Sequence, residues 1–530
     1  MKREFERLGR SPFDLLVIGG GMYGAWVAYD AALRGLQVAL VEKNDWASGT
    51  SSASSKLIHG GLRYLEQGRF GLVRKALKER RRLARLAPHR ISPLRFALPR
   101  YRGARVGRTA LGAGLWLYDR LAGRDPLVGP HRSLEREAML QLYRFLRPDG
   151  LEGGFTYGDC QTDDARLVLE LVDGAAAAGA VAVNHAPVTG LIDAGGRVAG
   201  AGVRDGETGR SVTVRAAMTV DCSGPWRATL SGGSHAFAAR LTKGVHLVLP
   251  ALPTDDAFLL PDGGGRRVIF MIPWYGRVLL GTTDTDFAGS PDRVAVQPED
   301  VDYLLSEVNR VLVRGWSAAD VIASFAGLRV LPGRQDVPPS AVAREFTLHE
   351  TRPGLLVPLG GKLSSARVDA ATVVSRVMTR LGRRCACPTA ERPFPWSLGN
   401  DDAGPELDRR SIALGLDAET AALCRRRYGI RVAWVHAILA KSPAFARRIV
   451  PGLPFCMAEV VHAVRDEMAR SLSDLLRRRI PLSLLDRLDG EVVREVADVA
   501  GCELDWAAAR RDAEIEEFLA CNLRPLAAAR

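Results

Sequence analysis

Residues 13–42, FDLLVIGGGMYGAWVAYDAALRGLQVALVE, decide the fold. Phe13 to Gly19 is almost wholly apolar, as a parallel strand covered on both faces must be. Gly19, Gly21 and Gly24 follow in the spacing GxGxxG, and MYGAWVAYDAALRG then carries small and apolar residues at helical spacing. Leu36 to Val41 reads as a second parallel strand ending at Glu42, so the order strand, glycine turn, helix, strand spells a dinucleotide-binding β-α-β unit. Each glycine has its own task. Gly19 permits the tight turn, Gly21 clears room for a pyrophosphate, and Gly24 lets helix and strand approach, while the helix N-terminus offers amide donors to phosphate. Glu42 stands where a carboxylate accepts ribose hydroxyls, and its charge argues against the 2′-phosphate of NADP. No second glycine-rich β-α-β unit follows for a freely exchanging nicotinamide, so bound FAD is the simpler inference.

Outward from this unit, 530 residues ask for two to four domains, and 47% hydrophobic with 25% charged residues is the balance of a folded chain. The net charge of +13 admits an anionic lipid surface, a nucleic acid or a phosphorylated substrate. No zinc finger, helix-turn-helix or aromatic-interleaved basic patch supports nucleic acid. The eight cysteines are scattered and form no paired C-x-x-C set, which suits ordinary thiols and no structural metal. Asp284 and Asp286 in GTTDTD lack a surrounding ligand set and read as turn caps, leaving the expected metal inventory empty. The N-terminal residues run into a strand without a signal-peptide pattern, and no window reaches the ~18 apolar residues that span lipid, so a cytoplasmic protein with at most peripheral membrane association is expected.

The expected fold class is α/β: an FAD-binding Rossmann-like domain of glutathione-reductase type, an antiparallel-sheet substrate domain and a C-terminal all-helical domain. Residues 1–385 form the oxidoreductase region, with FAD-binding segments mainly 12–90, 155–235 and 350–382 and substrate segments mainly 91–154 and 236–349. From Arg383 to Pro405 the composition turns Pro, Cys and Gly rich, so residues 386–405 are a linker, and 406–530 the helical domain. In the last of these, Val461, Val464, Met468, Leu472 and Leu475 line one face of a single helix. Residues 72–90 and 100–124 are basic and apolar at helical spacing, which suits either an anionic bilayer surface or a solvated helix face.

Ser54, Ser55, Lys56, His59, Gly60 and Gly61 form a second cluster. Its glycines allow close approach to a ring, Ser and Lys can donate to a flavin or pyrophosphate, and His59 could accept a hydroxyl proton. A helical backbone here would put His59 and Arg63 on one side. Arg63, Arg329, Arg344 and Lys362 are candidates to hold an anion, because guanidinium forks match phosphate and carboxylate oxygens.

The segments SSKLIHGGLRYLE, DCSGPW, TKGVHLVLP, LLGTTDTD, FAGLRVL and LLVPLGGKLSS, together with the helical tail, resemble the FAD-dependent, quinone-linked glycerol-3-phosphate dehydrogenase family over nearly the whole chain. The resemblance implies oxidation of sn-glycerol 3-phosphate at C2 to dihydroxyacetone phosphate, hydride passing to flavin N5 and electrons to a membrane quinone. It implies His59 as the base, Arg63, Tyr64, Arg329 and Arg344 as residues that face or hold substrate, and Lys362 beside flavin and substrate. It also implies a cofactor site of Gly19, Gly21, Gly24, Glu42, Lys43, Ser54, Ser55, Lys56, Gly60, Gly61, Gly224, Gly361, Lys362, Leu363 and Ser364. The expected partners are a small phosphorylated polyol, quinone and the anionic inner face of the cytoplasmic membrane, with a homodimer left open. The sequence departs from the family pattern at Val330, where proline is common, at Glu345 and Phe346 after Arg344, and in GGKLSSAR. A relative acting on another hydroxy acid, polyol phosphate or amine, with oxygen as acceptor, is the alternative.

Overall fold

The computed structural model describes residues 1–522 except 124, 126, 228–238, 265–266, 334–341, 343–344 and 399–402. Arg344 therefore lies outside the described residues.

The opening strand Phe13–Ile18 is central to an eight-stranded sheet, in the order Thr347–Arg352, Leu355–Leu359, Ser211–Asp221, Phe13–Ile18, Val38–Val41, Val181–Val183. It pairs in parallel with Val38–Val41 on one side and Ser211–Asp221 on the other. The hairpin Val188–Ala194 with Arg197–Arg204 extends from Ser211–Asp221. One face of the sheet buries Leu15 and Val17 against the helices Met22–Leu33, Asp164–Ala177 and Ala366–Arg380 through Trp26, Val168 and Val373. The other face buries Leu16 and Ala39 with Phe5 and the hairpin's Val203. Cover on both faces is why this strand carries no polar alternation.

The second sheet has ten strands and is antiparallel apart from the pair Ala257–Pro261 with Ile91–Tyr101. Its long members are Ile91–Tyr101, Leu151–Thr162, Ala239–Pro250 and Ala323–Pro332. Leu151–Thr162 pairs along Ile91–Tyr101, so residues 155–162 belong with this sheet rather than with the dinucleotide-binding segments expected from sequence. Conversely Thr347–Arg352 pairs with Leu355–Leu359 in the first sheet. The two-residue strand Leu57–Ile58 reaches the end of this second sheet from the Gly/Ser-rich loop of residues 44–56, and no sequence signal announced it.

Beyond residue 402 the described elements are helical. The helices Met457–Glu467 and Gly490–Leu504 share one core with the second sheet, in which Met457, Leu475 and Val496 pack with Ile272 and Phe325. The single long helix expected around Val461 to Leu475 is broken. Met468 takes a left-handed conformation (φ 56°) after Met457–Glu467, and a short helix Leu472–Asp474 and a wide turn Leu475–Arg479 follow. The five apolar residues are nevertheless all buried.

Candidate functional site

A cavity of about 560 Å³ opens between the two sheets, bounded by the glycine turn, the Gly/Ser-rich loop, the turn after Ser211–Asp221, the strand Ala323–Pro332 and the Gly360–Ser364 loop. That size is ordinary for a small-molecule site. Its floor is the carboxyl edge of the parallel strands, where open α/β sheets bind ligands.

The glycine turn has no space for side chains. Gly19 sits at φ +105°, and a Cβ there would stand 2.6 Å from the Cys222 carbonyl oxygen. A Cβ on Gly24 would stand 1.8 Å from the Gly19 carbonyl oxygen, so Gly24 lies outside the cavity lining and serves the close packing of helix on turn. Gly21 caps the helix and lines the cavity, with the Ser51 hydroxyl accepting the Met22 N–H at 2.8 Å. Glu42 accepts the Gly20 N–H at 2.6 Å and the Asn44 N–H at 2.8 Å, which leaves lone pairs on both oxygens for further donors. Burial raises its acid. Gly19, Gly21, Glu42, Lys43 and Gly224 all line the cavity.

The 54–61 cluster divides. Ser54, Ser55, His59 and Gly61 line the cavity, whereas Lys56 and Gly60 do not. Lys56 stands at φ +56° and turns inward, its ammonium 2.5 Å from Asp164 and 4.8 Å from the centre of the Trp274 ring. Asp164 also accepts the Ser54 hydroxyl at 2.6 Å, so one buried carboxylate fixes the loop and claims the lysine that sequence had assigned to the cofactor. Gly60 faces the opposite way, where a Cβ would meet Leu77 and the Tyr118 hydroxyl at 2.5 Å, and its N–H donates to that hydroxyl at 2.9 Å. The helix begins only at Arg63, with Gly61 at φ +80° before it, so His59 and Arg63 are not one turn apart on a common helix.

His59, Arg63, Tyr64, Arg329, Gly361, Lys362, Leu363 and Ser364 share the cavity wall. Ser364 clasps His59, its hydroxyl accepting the His59 N–H at 3.0 Å and donating to the His59 carbonyl at 2.9 Å. The His59 ring meets Phe270 edge-on, with centroids 6.2 Å apart. The Lys362 ammonium lies 3.5 Å from the centre of the buried Tyr64 ring. Arg329 reaches from its strand over Gly244, where a Cβ would stand 2.3 Å from the guanidinium, and donates to the Thr282 hydroxyl at 2.8 Å and to Asp284 at 3.2 Å. Asp284 and Asp286 are thus arginine partners rather than turn caps, Asp286 pairing with Arg240.

Sequence reasoning missed several residues here. His246 lines the cavity with its Nε2 2.8 Å from the Ser55 hydroxyl and its ring stacked on Phe325. Burial, with Arg329 and Lys56 nearby, pushes its pKa down to about 3, so the ring is neutral. Its place in the strand Ala239–Pro250, whose residues alternate between faces, was the available signal. Tyr23 lies under the Gly360–Lys362 loop and donates to Asp369 at 2.8 Å, and Asp369 also receives Ser365 and Lys75. Asp45, His185 and Asp474 converge closely enough to suggest a metal, but Arg478 and Arg479 occupy the carboxylates.

One dinucleotide cradle facing a cavity walled by a second sheet defines the class as a dinucleotide-dependent oxidoreductase, with FAD as the group to be tested against the cradle. Its residues fit the group: glycines that exclude side chains where the phosphates must approach, a helix N-terminus, and a carboxylate with spare lone pairs. Residues 14–381 match the family described as FAD dependent oxidoreductase, and residues 387–511 match the C-terminal domain of alpha-glycerophosphate oxidase. Glycerol-3-phosphate dehydrogenase 2 of Mycobacterium tuberculosis is 38% identical over 526 residues, 97% of this chain and 89% of the relative. Aerobic glycerol-3-phosphate dehydrogenase of Staphylococcus aureus is 32% identical over 543 residues, 97% of this chain and 96% of the relative. The structure of the Bacillus halodurans glycerol-3-phosphate dehydrogenase complexed with FAD superposes with a TM-score of 0.81 at 29% identity, covering 99% of this chain and 97% of that one. The chain belongs to the FAD-dependent glycerol-3-phosphate dehydrogenase family, and FAD is its cofactor.

Proposed function

We propose that this protein oxidises sn-glycerol 3-phosphate at C2 to dihydroxyacetone phosphate and delivers the electrons to a membrane quinone. The observation that carries the reading is the shared wall of His59, Arg63, Arg329 and Lys362 in the cavity that holds the dinucleotide cradle. Three cations beside one imidazole suit a small dianionic alcohol better than a neutral polyol or an amine. FAD, when bound, supplies the two-electron acceptor for the hydrogen leaving C2. His59 takes the proton of the C2 hydroxyl, which eases departure of that hydrogen. Arg329, held by Thr282 and Asp284, grips the phosphate with Arg63. Lys362 keeps positive charge where negative charge develops.

Anaerobic mixing of the holoprotein with a substrate panel tests this. Glycerol 3-phosphate should bleach the flavin absorbance; bleaching by another hydroxy acid or an amine, with none by glycerol 3-phosphate, overturns the substrate assignment. Quinone as acceptor predicts faster turnover with a quinone analogue than with oxygen.

Reaching quinone requires a membrane face, and the proposed one is the basic helices Phe70–Leu86 and Arg108–Ala122, which expose Phe70 and Trp116, with Leu127 exposed just beyond the second helix. Among the described residues no helix is long and apolar enough to cross a membrane. The proposed location is therefore peripheral, on the inner face of the cytoplasmic membrane. Salt-sensitive sedimentation with anionic vesicles checks it, and equal recovery in the supernatant with and without vesicles at low salt removes it.

A further inference from the structure

Asp292 comes from the short helical turn Pro291–Arg293, after the second sheet's strand Thr285–Asp286, and lines the cavity. One of its oxygens, Oδ1, accepts from the Lys43 ammonium at 2.6 Å and from the Trp226 indole N–H at 2.8 Å. The Lys43 ammonium also lies 4.3 Å from the centre of the Trp226 ring, so the three side chains form a closed triangle. Burial does not explain it, since Asp292 is 58% exposed at its side chain and Lys43 32%.

The placement of the partners gives the triangle its meaning. Lys43 directly follows Glu42 at the carboxyl end of Val38–Val41, and Trp226 lies in the turn beyond the carboxyl end of Ser211–Asp221. Those two strands flank Phe13–Ile18, whose carboxyl end leads into the glycine turn. Lys43 and Trp226 thus straddle the crevice in which an α/β sheet of this kind holds a dinucleotide, and Asp292 joins them from the other sheet. Trp226 is seated from below by Gly49, where a Cβ would stand 2.9 Å from the ring.

From this geometry we infer that Asp292, Lys43 and Trp226 form a latch across the mouth of the cofactor crevice, and that its function is to retain FAD. Leaving the crevice requires the two strand ends and the turn bearing Asp292 to separate, which breaks an ion pair, a charge-assisted hydrogen bond and a cation–π contact together. The role is independent of which alcohol is oxidised, so failure of the substrate assignment would leave it intact.

The test is the rate at which purified holoprotein releases FAD after dilution, followed by the rise in free-flavin fluorescence. Asp292→Ala should release FAD about three- to tenfold faster than wild type. Trp226→Phe keeps a ring over Gly49 but loses the N–H donor, and Lys43→Gln loses the ion pair; both should also release faster, by smaller factors. Added salt should accelerate release from wild type more than from Asp292→Ala, because the exposed ion pair is screened only where it exists. Asp302→Asn, an exposed acidic position outside the cavity lining, serves as control and should match wild type. Release at the wild-type rate from Asp292→Ala and Trp226→Phe, or an equal increase in the control, overturns the latch. Should Asp292→Ala fail to fold, Trp226→Phe and Lys43→Gln decide the matter by the same rates.

Discussion

Lys362 places its ammonium 3.5 Å from the centre of the Tyr64 ring, joining the loop after the strand Leu355–Leu359 to the first turn of the helix Arg63–Glu66. The aromatic face stabilises the cation without neutralising it. The ring holds the ammonium at the cavity wall, which Lys362 and Tyr64 both line.

Lys362→Met should therefore slow substrate-dependent bleaching of the flavin by about 10²- to 10³-fold, the loss expected when a positioned electrostatic partner is removed. Tyr64→Phe keeps the ring and should stay within about threefold of wild type, whereas Tyr64→Leu should lose more than that. Stopped-flow absorbance under anaerobic conditions reads all three. A Lys362→Met enzyme reduced at the wild-type rate would put the lysine outside the reaction.

His59→Asn should lower the limiting rate of flavin reduction by about 10²- to 10⁴-fold, with the substrate dissociation constant changed far less. Ser364→Ala tests how His59 is held, since the Ser364 hydroxyl makes both of its hydrogen bonds to the His59 backbone. Its loss should lower the reduction rate by about tenfold through misplacement of the imidazole. Equal losses in binding and rate for His59→Asn would favour a binding role over proton transfer.

The fold was legible where local chemistry and tertiary context agree. In residues 13–42 the apolar run, the three glycines and the following helix each have one stable solution, and that solution is observed. The loop of residues 50–61 was legible only as a cluster. The direction of each side chain there follows from partners remote in sequence: Asp164 draws Lys56 inward, and Tyr118 with Asp159 turns Gly60 away. A left-handed conformation at Lys56 or Met468 carries no glycine or proline to reveal it, so both the inverted lysine and the broken helix escaped a reading based on periodicity.

Acid should destabilise the protein in part through His246. In the unfolded chain its imidazole takes up a proton below about 6.5, but burial holds the folded value down to about 3. Between those values the unfolded state binds more protons, so this residue makes stability rise with pH across the window and fall as acid is added. His246→Gln retains an amide that can meet the Ser55 hydroxyl but does not titrate. Denaturant unfolding at about pH 5 and about pH 7 should show a smaller stability difference in the variant than in wild type. An undiminished difference would mean that other groups carry the acid sensitivity.

Arg166 and Glu467 supply the last prediction, because their bidentate pair, with both hydrogen bonds at 2.7 Å, joins the helix Asp164–Ala177 of the dinucleotide-binding layer to the helix Met457–Glu467. Neither side chain is more than 1% exposed. Burial alone would raise the Glu467 acid, yet Arg166 and His462 beside it bring the pKa down to about 2, so the carboxylate stays charged at any working pH. Arg166 is further enclosed by Tyr428, whose ring centre is 4.5 Å from the guanidinium carbon, and by Trp396 at 5.3 Å. Glu467→Ala strands that guanidinium in the interior and should cost about 3–5 kcal/mol of unfolding free energy, the penalty of an uncompensated buried charge. Replacing both residues, Arg166→Met with Glu467→Met, removes the stranded charge and should restore most of the loss. Because the helical region shares its core with the second sheet, unfolding of Glu467→Ala should remain one transition by both flavin fluorescence and far-UV circular dichroism, shifted to lower denaturant. Two separated transitions would show that the C-terminal helices unfold on their own and that this pair is a local clasp rather than a tie between layers.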